Sequence, residues 1–570
     1  MLPTMSLLCC PIHVDAAEEV GEALERASAA VAEGAKLIEW RCDSLAEEDH
    51  ATALSAIRRL VAESPVACIV TIRPTWEGGL YGGSETDRIS LIEAIGCTSL
   101  DADGGLDADG GSEPAAGVPA PRYIDIELDA YRTSRNRRQK VNLAVRHEAQ
   151  VRDVSSSLIL SSHDFRERPA DLLQRVSAMA IEPACAVMKI VWMARSLRDN
   201  LEAFDLLAER AKPMVALCMG EFGLMSRVLA PKFGGLFTFA AFRRGAESAP
   251  GQPTLTELRS LYRFDAIGRS TRVYGVIGWP VGHSKSPAFH NAAFARAGHD
   301  GVHLPMPVPP EWEHFKATVG AMLDHPRLDF RGASVTIPHK AHCVRLVRER
   351  DGHVSALSEL LGAANTLVVE DGGRLVCANT DAPALAASLL AAFPGRSSLD
   401  GLRVAVLGAG GVARAAAGAI ALAGGTAVIV HRDDAKGAAL ADELNGRVAS
   451  FDRAALDAAE AMPIASGVGR VVSGRRDALG CGCYHAFVNC TPLGMVGGPG
   501  PDESPLESLA GAHVAVADAV VMDTVYAPEW TPLLLDARNQ GARCVTGAAM
   551  FVEQARRQFE RWTGLALPVA

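Results

Sequence analysis

The chain has 570 residues, 48% hydrophobic and 22% charged, with a formal net charge of −11. That is an ordinary globular composition, too long for one hydrophobic core, and about three or four domains are expected. The acidic balance argues against a nucleic-acid-binding surface while leaving room for local basic pockets that take anionic substrates, and no apolar run is long enough to span a bilayer.

The start, Met-Leu-Pro-Thr-Met-Ser, has no charged region ahead of an apolar one, so no secretory signal is expected. No transit peptide is visible, and a cytoplasmic or plastid location is expected. From Ser6 to Phe242 short apolar runs alternate with segments of helical spacing such as Ala17–Glu33 and Ser196–Lys212. The runs begin at Ser6, Lys36, Val66, Tyr123, Ser157, Cys185, Met214 and Gly235. About eight such units predict an α/β fold, a closed parallel (β/α)8 barrel. Cysteines inside the runs, as in Leu7-Leu-Cys-Cys10 and Val215-Ala-Leu-Cys218, read as reduced, buried thiols.

Barrels of this kind place chemistry at the C-terminal ends of their strands. Polar residues interrupt the apolar runs at those ends. Glu39 and Arg41 close the second run, Arg73 and Glu77 the third, and His163 the fifth; Lys189 lies inside the sixth, Arg227 follows the seventh, and Ser248 and Gln252 follow the eighth. A lysine within Ala186-Val-Met-Lys-Ile-Val-Trp192 is cut off from water on a central strand, which favours the neutral, nucleophilic amine; the plainer alternative is a lysine snorkelling at a strand end. His163 after a strand suits acid–base work, against the alternative of a satisfied core histidine. Arg41, Arg73 and Arg227 at one mouth suggest an anionic substrate, unless each is a surface arginine.

Glu39-Trp-Arg-Cys-Asp43, Arg73-Pro-Thr-Trp-Glu-Gly-Gly79, Ser162-His-Asp-Phe165, Met188-Lys-Ile190 and Ser248-Ala-Pro-Gly-Gln252 resemble, in order, type I 3-dehydroquinate dehydratase. The resemblance implies that Lys189 forms an imine with the substrate ketone, that His163 is general base and then acid, and that Glu77 orients it. It also implies that Arg227 holds the substrate carboxylate while Glu39, Arg41, Arg73, Ser248 and Gln252 line the pocket. One departure, the acidic Ser99–Gly117 stretch, reads as a solvated insertion without a catalytic part.

Ser248–Ser260 is expected to finish the last barrel helix, and residues 263–271 to form a short polar linker between a barrel over 1–262 and a second enzyme. There, Ser284 and Ser286 precede the helical stretch Ala288–Ala297, where hydroxyls either cap the helix or bind a carboxylate. Lys340 and Asp381 each follow a β-run and form either a solvated ion pair or a proton-handling dyad. Asp400-Gly-Leu-Arg-Val-Ala-Val-Leu407 runs into Gly408-Ala-Gly-Gly-Val-Ala413, an Ala-rich helix and a second strand, Ala427–Val430. Strand, glycines, helix and strand predict a dinucleotide fold, with Gly408, Ala409, Gly410, Gly411, Val412 and Ala413 against the pyrophosphate. At His431-Arg-Asp-Asp434 cofactor choice is made: Arg432 suits the 2′-phosphate of NADP, whereas Asp433 or Asp434 suits the ribose of NAD. NADP is favoured.

Val281-Gly-His-Ser-Lys-Ser-Pro287, Val335-Thr-Ile-Pro-His-Lys340, Asn379-Thr-Asp381, Gly408-Ala-Gly-Gly411, Asn489-Cys-Thr-Pro-Leu-Gly-Met495 and Asp523-Thr-Val-Tyr526 resemble shikimate dehydrogenase. The resemblance implies Ser284, Ser286, Thr336, Asn365, Tyr526 and Gln554 at the substrate, Lys340 and Asp381 as catalytic pair, and His431, Arg432, Asn489 and Thr491 at the cofactor. The expected partition is a shikimate-binding domain over 272–385 plus 546–570 and a Rossmann domain over 386–545. His431-Arg-Asp433 stands where the family has Asn-Arg-Thr, which leaves an NAD-using quinate or shikimate dehydrogenase as an alternative. A ligand-sensing protein without turnover is another. Asp457–His485, with Cys481-Gly-Cys483, is longer than the family needs, and no metal is expected there. The two resemblances together imply a plant-like bifunctional shikimate-pathway enzyme acting on 3-dehydroquinate, 3-dehydroshikimate and shikimate, with no nucleic-acid or membrane partner.

Overall fold

The computed structural model describes residues 6–97, 120–150, 154–452, 455–456, 460–463, 465, 467, 469–476, 479–480, 483–510 and 513–567. The acidic Ser99–Gly117 stretch and part of the 457–485 stretch, Cys481 included, lie outside them. The chain divides into two compact units, Met1–Thr271 with Ala321–Arg327, and Arg272–Gly320 with Leu328–Ala570.

The first unit is built on strands β1 (Leu7–His13), β2 (Leu37–Arg41), β3 (Cys68–Thr71), β4 (Tyr123–Glu127), β5 (Ser157–Asp164), β6 (Cys185–Met193), β7 (Met214–Met219) and β8 (Phe237–Phe239). Successive strands pair in parallel from β1 to β7, and β8 pairs in parallel with β1. At the remaining seam Leu236 N donates to Met214 O at 2.9 Å, so the sheet curls into a nearly closed barrel. Because side chains alternate faces along a strand, Leu37, Ile69, Ile159 and Val187 share a face with Glu39, Thr71, Ser161 and Lys189 two residues on. The first four pack together as part of the buried core. The polar four therefore emerge at the end of the same interior.

One expectation fails here. Ser248–Gln252 is turn and loop, and only a short π-helical segment, Glu257–Leu261, stands where the last barrel helix was expected. In the expected polar joint, residues 263–271, Phe264, Ile267 and Thr271 are buried, and Lys232 Nζ donates to Arg269 O at 2.9 Å and Thr271 O at 2.8 Å. The apolar Phe264 and Ile267 within an otherwise polar stretch favour this packing, since burying them removes apolar surface from water.

In the second unit β9 (Arg272–Gly278), β10 (Gly301–Pro307), β11 (Phe330–Val335), β12 (His353–Val354), β13 (Thr366–Val369) and β14 (Leu375–Ala378) form a mixed sheet in the order β10-β9-β11-β13-β14-β12, with β13 antiparallel to both neighbours. The other sheet comprises β15 (Arg403–Leu407), β16 (Thr426–Val430), β17 (Arg470–Ser473), β18 (Ala486–Asn489), β19 (Val520–Asp523) and β20 (Arg543–Val545). It is wholly parallel in the order β17-β16-β15-β18-β19-β20, the doubly wound arrangement whose ligand crevice opens where the order reverses, between β15 and β18. The C-terminal helix Gly547–Thr563 returns to the mixed sheet, where Trp562 Nε1 donates to Leu367 O at 2.9 Å and Gln558 Nε2 to Asn365 O at 3.1 Å. The boundary expected at 385/386 falls inside one continuous helix, Asp381–Ala391, whose Ala382, Leu385 and Leu389 pack with Val404 and Val406 of the parallel sheet.

Among the described residues no helix is long and apolar enough to cross a membrane. Cys9, Cys42, Cys218 and Cys343 are buried free thiols, as expected; Cys483 departs from that pattern and is disulfide-bonded.

Candidate active sites

The barrel mouth forms a pocket lined among others by Glu39, Arg41, Arg73, Glu77, His163, Lys189, Arg227 and Ser248. Lys189, from the middle of β6, is 4% exposed. Its Nζ donates to Asp125 Oδ2 at 2.9 Å, lies 3.6 Å from Glu39 Oε1 and sits 4.5 Å from the centre of the Phe239 ring. The burial expected from the sequence is present, but with carboxylates beside the amine. Burial raises the Asp125 carboxyl, yet Arg73 and Lys189 outweigh it and hold it well below the usual range.

His163 ends β5. Glu77, in the single turn Thr75–Glu77, accepts from its backbone N at 2.7 Å and lies 2.8 Å from its Nδ1. One carboxyl thus fixes both the chain and the ring, which leaves Nε2 for the cavity. Burial, followed by the charges of Arg73 and Lys189, pushes His163 well below its ordinary value, so it rests as the neutral base. Burial also raises Glu77 to about 8, with Arg73 pulling the other way. The turn that presents Glu77 needs its glycine: Gly78 has φ 77, and a Cβ there would lie 2.2 Å from the Phe165 ring.

The three arginines differ more than the sequence suggested. Arg41 is paired with Asp43 at 2.7 Å. Arg73 is held by Asp125 at 2.7 Å, Glu127 at 2.6 Å and Ser161 at 2.9 Å, and although burial disfavours its charge, Asp125 and Glu127 stabilise it strongly. Arg227, 2% exposed, has among the described residues no hydrogen-bond partner for Nε or Nη2, and burial pushes it down to about 10. A buried guanidinium with open donors is costly unless a ligand anion completes it. Gln252 Oε1 accepts from Ser248 N at 2.8 Å and Ser248 Oγ at 3.1 Å, while its Nε2 is also without a partner.

Sequence reasoning missed Asp125, Glu127, Asp43 and Phe239. The first two were readable, because Asp125 and Glu127 in Tyr123-Ile-Asp-Ile-Glu127 fall on one face of a strand by period two, two carboxylates alternating with isoleucines.

In the second unit Lys340 begins helix Lys340–Glu349 and Asp381 begins helix Asp381–Ala391; their side chains meet at 2.5 Å. Asn365 Nδ2 donates to Asp381 Oδ1 at 2.8 Å and approaches Gln554 Oε1 at 3.4 Å. Ser286 N donates to Ser284 Oγ at 3.2 Å, and Tyr526, whose phenol burial raises, lies tilted against Phe551 with ring centres 5.0 Å apart; the Phe551 carbonyl accepts from Gln554 Nε2 at 3.0 Å. Thr336 lies one turn ahead of Lys340, its carbonyl accepting from His339 N at 2.8 Å. Of the expected substrate residues, Asn365 thus bonds Asp381 directly and Gln554 stands beside it. Lys285, not singled out from the sequence, donates to Tyr526 O at 3.3 Å.

The loop after β15 fits a dinucleotide. Helix Gly411–Leu422 has no side-chain cap at Gly410, and a Cβ at Gly410 would meet nothing within 4 Å, so its first amides face open space at a dipole's positive end. Gly408 has φ 116 and closely approaches Cys490 O, as the tight turn requires, and Ala413 is buried where the helix meets the sheet. The Lys340 stem would lie 3.4 Å from a Cβ at Gly411, which sets the dyad beside this loop. Asn489, expected at the cofactor, is fully buried; it donates to Asp523 at 2.9 Å and accepts from Thr491 N at 2.8 Å and Oγ1 at 2.7 Å, which shapes the loop. Beyond β16, Asp433 caps helix Asp434–Ala449 by accepting from Ala435 N at 3.1 Å and Lys436 N at 3.2 Å, and its own N donates to His431 Nδ1 at 3.0 Å. Asp434 lies 3.6 Å from Arg476. Arg432 is exposed and, among the described residues, has no ion-pair partner.

Fold and sites together define a chain of two enzymatic centres, an amine–imidazole site in a barrel and an ammonium–carboxylate pair beside a dinucleotide fold. The type I 3-dehydroquinase family model matches residues 8–110 and 111–269, that of the shikimate dehydrogenase substrate binding domain 276–367, and that of the shikimate 5′-dehydrogenase C-terminal domain 547–570. A chloroplastic bifunctional 3-dehydroquinate dehydratase/shikimate dehydrogenase of Arabidopsis thaliana is 31% identical over 575 residues, 99% of this chain and 83% of its own. A shikimate dehydrogenase (NADP(+)) of Rhodospirillum rubrum is 38% identical over 310 residues, 53% of this chain and 94% of its own. A solved dehydroquinate dehydratase and shikimate dehydrogenase of S. pombe covers 99% of this chain and 97% of its own at 22% identity, with TM-score 0.38. The chain belongs to the bifunctional 3-dehydroquinate dehydratase/shikimate dehydrogenase family.

Proposed function

We propose that the chain dehydrates 3-dehydroquinate to 3-dehydroshikimate in the barrel and reduces that product to shikimate in the second unit, with NADPH as reductant. The observation that carries the first half is the convergence, in one enclosed mouth, of buried Lys189, the Glu77-held His163 and the partnerless Arg227. Arg227 takes the substrate carboxylate. Lys189 gives up a proton and attacks the ketone carbon, and the carbinolamine takes that proton back as water leaves, so a protonated imine remains. The imine draws electrons from the adjacent C–H bond, whose proton His163 removes at Nε2 and then delivers to the departing hydroxyl. Hydrolysis of the imine returns Lys189. Borohydride added with 3-dehydroquinate is expected to fix the imine, with mass mapping to Lys189; trapping at another lysine, or in Lys189→Ala, refutes the assignment.

In the second unit Lys340 and Asp381 hold the carbonyl oxygen and supply its proton, Asn365 and Gln554 orient the ring hydroxyls, and Ser284, Ser286 and Tyr526 take the carboxylate. Bound NADPH supplies the hydride. The free guanidinium of Arg432, beside an Asp433 occupied in capping its helix, favours the 2′-phosphate over a bare ribose. Arg432→Ala is expected to raise the KM for NADP and leave that for NAD unchanged. The compartment we infer is cytoplasmic or plastid, the latter by likeness to the chloroplastic Arabidopsis protein.

A further inference from the structure

Glu460 belongs to the stretch between helix Asp434–Ala449 and β17, where the sequence looks longer than the family needs. It is fully buried. Its Oε1 accepts from the backbone N of Asn379 at 3.1 Å and from the hydroxyl of Ser355. Both partners lie on the mixed-sheet side, and each leads to the reduction site. Ser355 caps helix Ala356–Leu361, which runs through Gly362 into Asn365. Asn379 stands two residues before Asp381; its Nδ2 donates to Ala363 O at 2.9 Å and its Oδ1 accepts from Ala382 N at 3.0 Å, so it ties one loop to the other. The next residue, Ala461, is anchored too, its carbonyl accepting from Arg557 Nη1 at 2.8 Å on the helix that carries Gln554.

We propose that Glu460 is a positioning residue for the reduction: one carboxylate oxygen, delivered from the nucleotide-binding part, fixes the two loops that present Asn365 and Asp381. Glu460 meets neither substrate nor cofactor. A buried carboxylate is costly unless its hydrogen bonds are made, so once formed these bonds hold the loops to a single register. The Asp381–Asn365 contact of 2.8 Å then does not depend on ligand for its geometry. The inference rests on the reading of Lys340 and Asp381 as the reacting pair.

The test compares Glu460→Ala, Glu460→Asp and Glu460→Gln in the full chain, with dehydratase turnover of the same sample as control. Loosening the loops by a fraction of an ångström is expected to lower the dehydrogenase kcat at least about tenfold in Glu460→Ala. The KM values for shikimate and NADP and the dehydratase rate stay near those of the parent. Glu460→Gln, whose amide oxygen still reaches both donors, recovers most of the rate, whereas the shorter Glu460→Asp does not. Parent kcat in Glu460→Ala, or equal losses in the Gln and Ala variants, overturns the proposal. A Glu460→Ala chain that loses kcat and both KM values together, with a lowered Tm, overturns it as well, since that is the mark of a merely structural residue. Failure of the underlying reading shows separately, as a Lys340→Ala chain that keeps its dehydrogenase rate.

Discussion

Arg227 illustrates how a single side chain is read from what it lacks. Buried and with open donors, it raises the free energy of the ligand-free barrel, and a charge-assisted bond to a carboxylate is worth about 1.5–3 kcal/mol. Arg227→Met is therefore expected to raise the KM for 3-dehydroquinate by about 10- to 100-fold, by that same bond energy. It should also raise the Tm of the free protein, because an unpaired buried charge is removed. A lowered Tm with unchanged KM would contradict both halves. Glu77 supplies a pH dependence. Its carboxyl, raised to about 8, gains a proton as pH falls through that value and then no longer accepts from both His163 N and Nδ1. The dehydratase kcat/KM should accordingly fall on the acid side of pH 8, and Glu77→Gln should be slow with that limb absent. A limb that persists in Glu77→Gln belongs to another group.

Strands and turns decide where such residues stand. Gly78→Ala places a Cβ on the Phe165 ring in a turn with φ 77, so the turn holding Glu77 must shift and the dehydratase should lose most of its rate while the dehydrogenase keeps its own. In the second unit helix Ser286–Arg296 and β10 bring His290 and His303 together, stacked at 4.7 Å and fully buried. Burial lowers His290 to about 3, with Gln558 opposing, and holds His303 well below its ordinary value. Both rings are uncharged in the fold and take a proton near pH 6.5 when unfolded. Their stabilising effect is thus full above that pH and is lost as pH falls below it, at about 1.4 kcal/mol per pH unit per ring. His290→Phe keeps an aromatic stack and removes one proton site, so the urea midpoint followed through dehydrogenase activity should fall less steeply between pH 6.5 and 5. Equal slopes would show that the pair does not carry the acid sensitivity.

The two units carry separate chemistry on one chain. Lys189→Ala is expected to leave shikimate oxidation at the parent rate, and Lys340→Ala to leave dehydration unchanged. A loss of both activities from either substitution would show that the sites share more than a backbone. The alternation of apolar runs and helical segments was enough to read the barrel, and strand–glycines–helix was enough to read the nucleotide fold, because periodicity and backbone freedom are local properties. The residue types at the strand ends likewise announced both sites. The sequence could not distinguish the free Arg227 from the engaged Arg41 and Arg73, because ion pairing depends on Asp43, Asp125 and Glu127, residues brought near by the barrel's closure. Nor could it show Asn489 turned inward, residues 263–271 packed down, or Glu460 reaching Asn379 across 81 positions. What a stretch of chain can become is written in its own pattern. Which charged groups end up paired, and which are left for a ligand, is decided only when distant strands meet, since electrostatic energy depends on separation in space and on the water excluded between the groups.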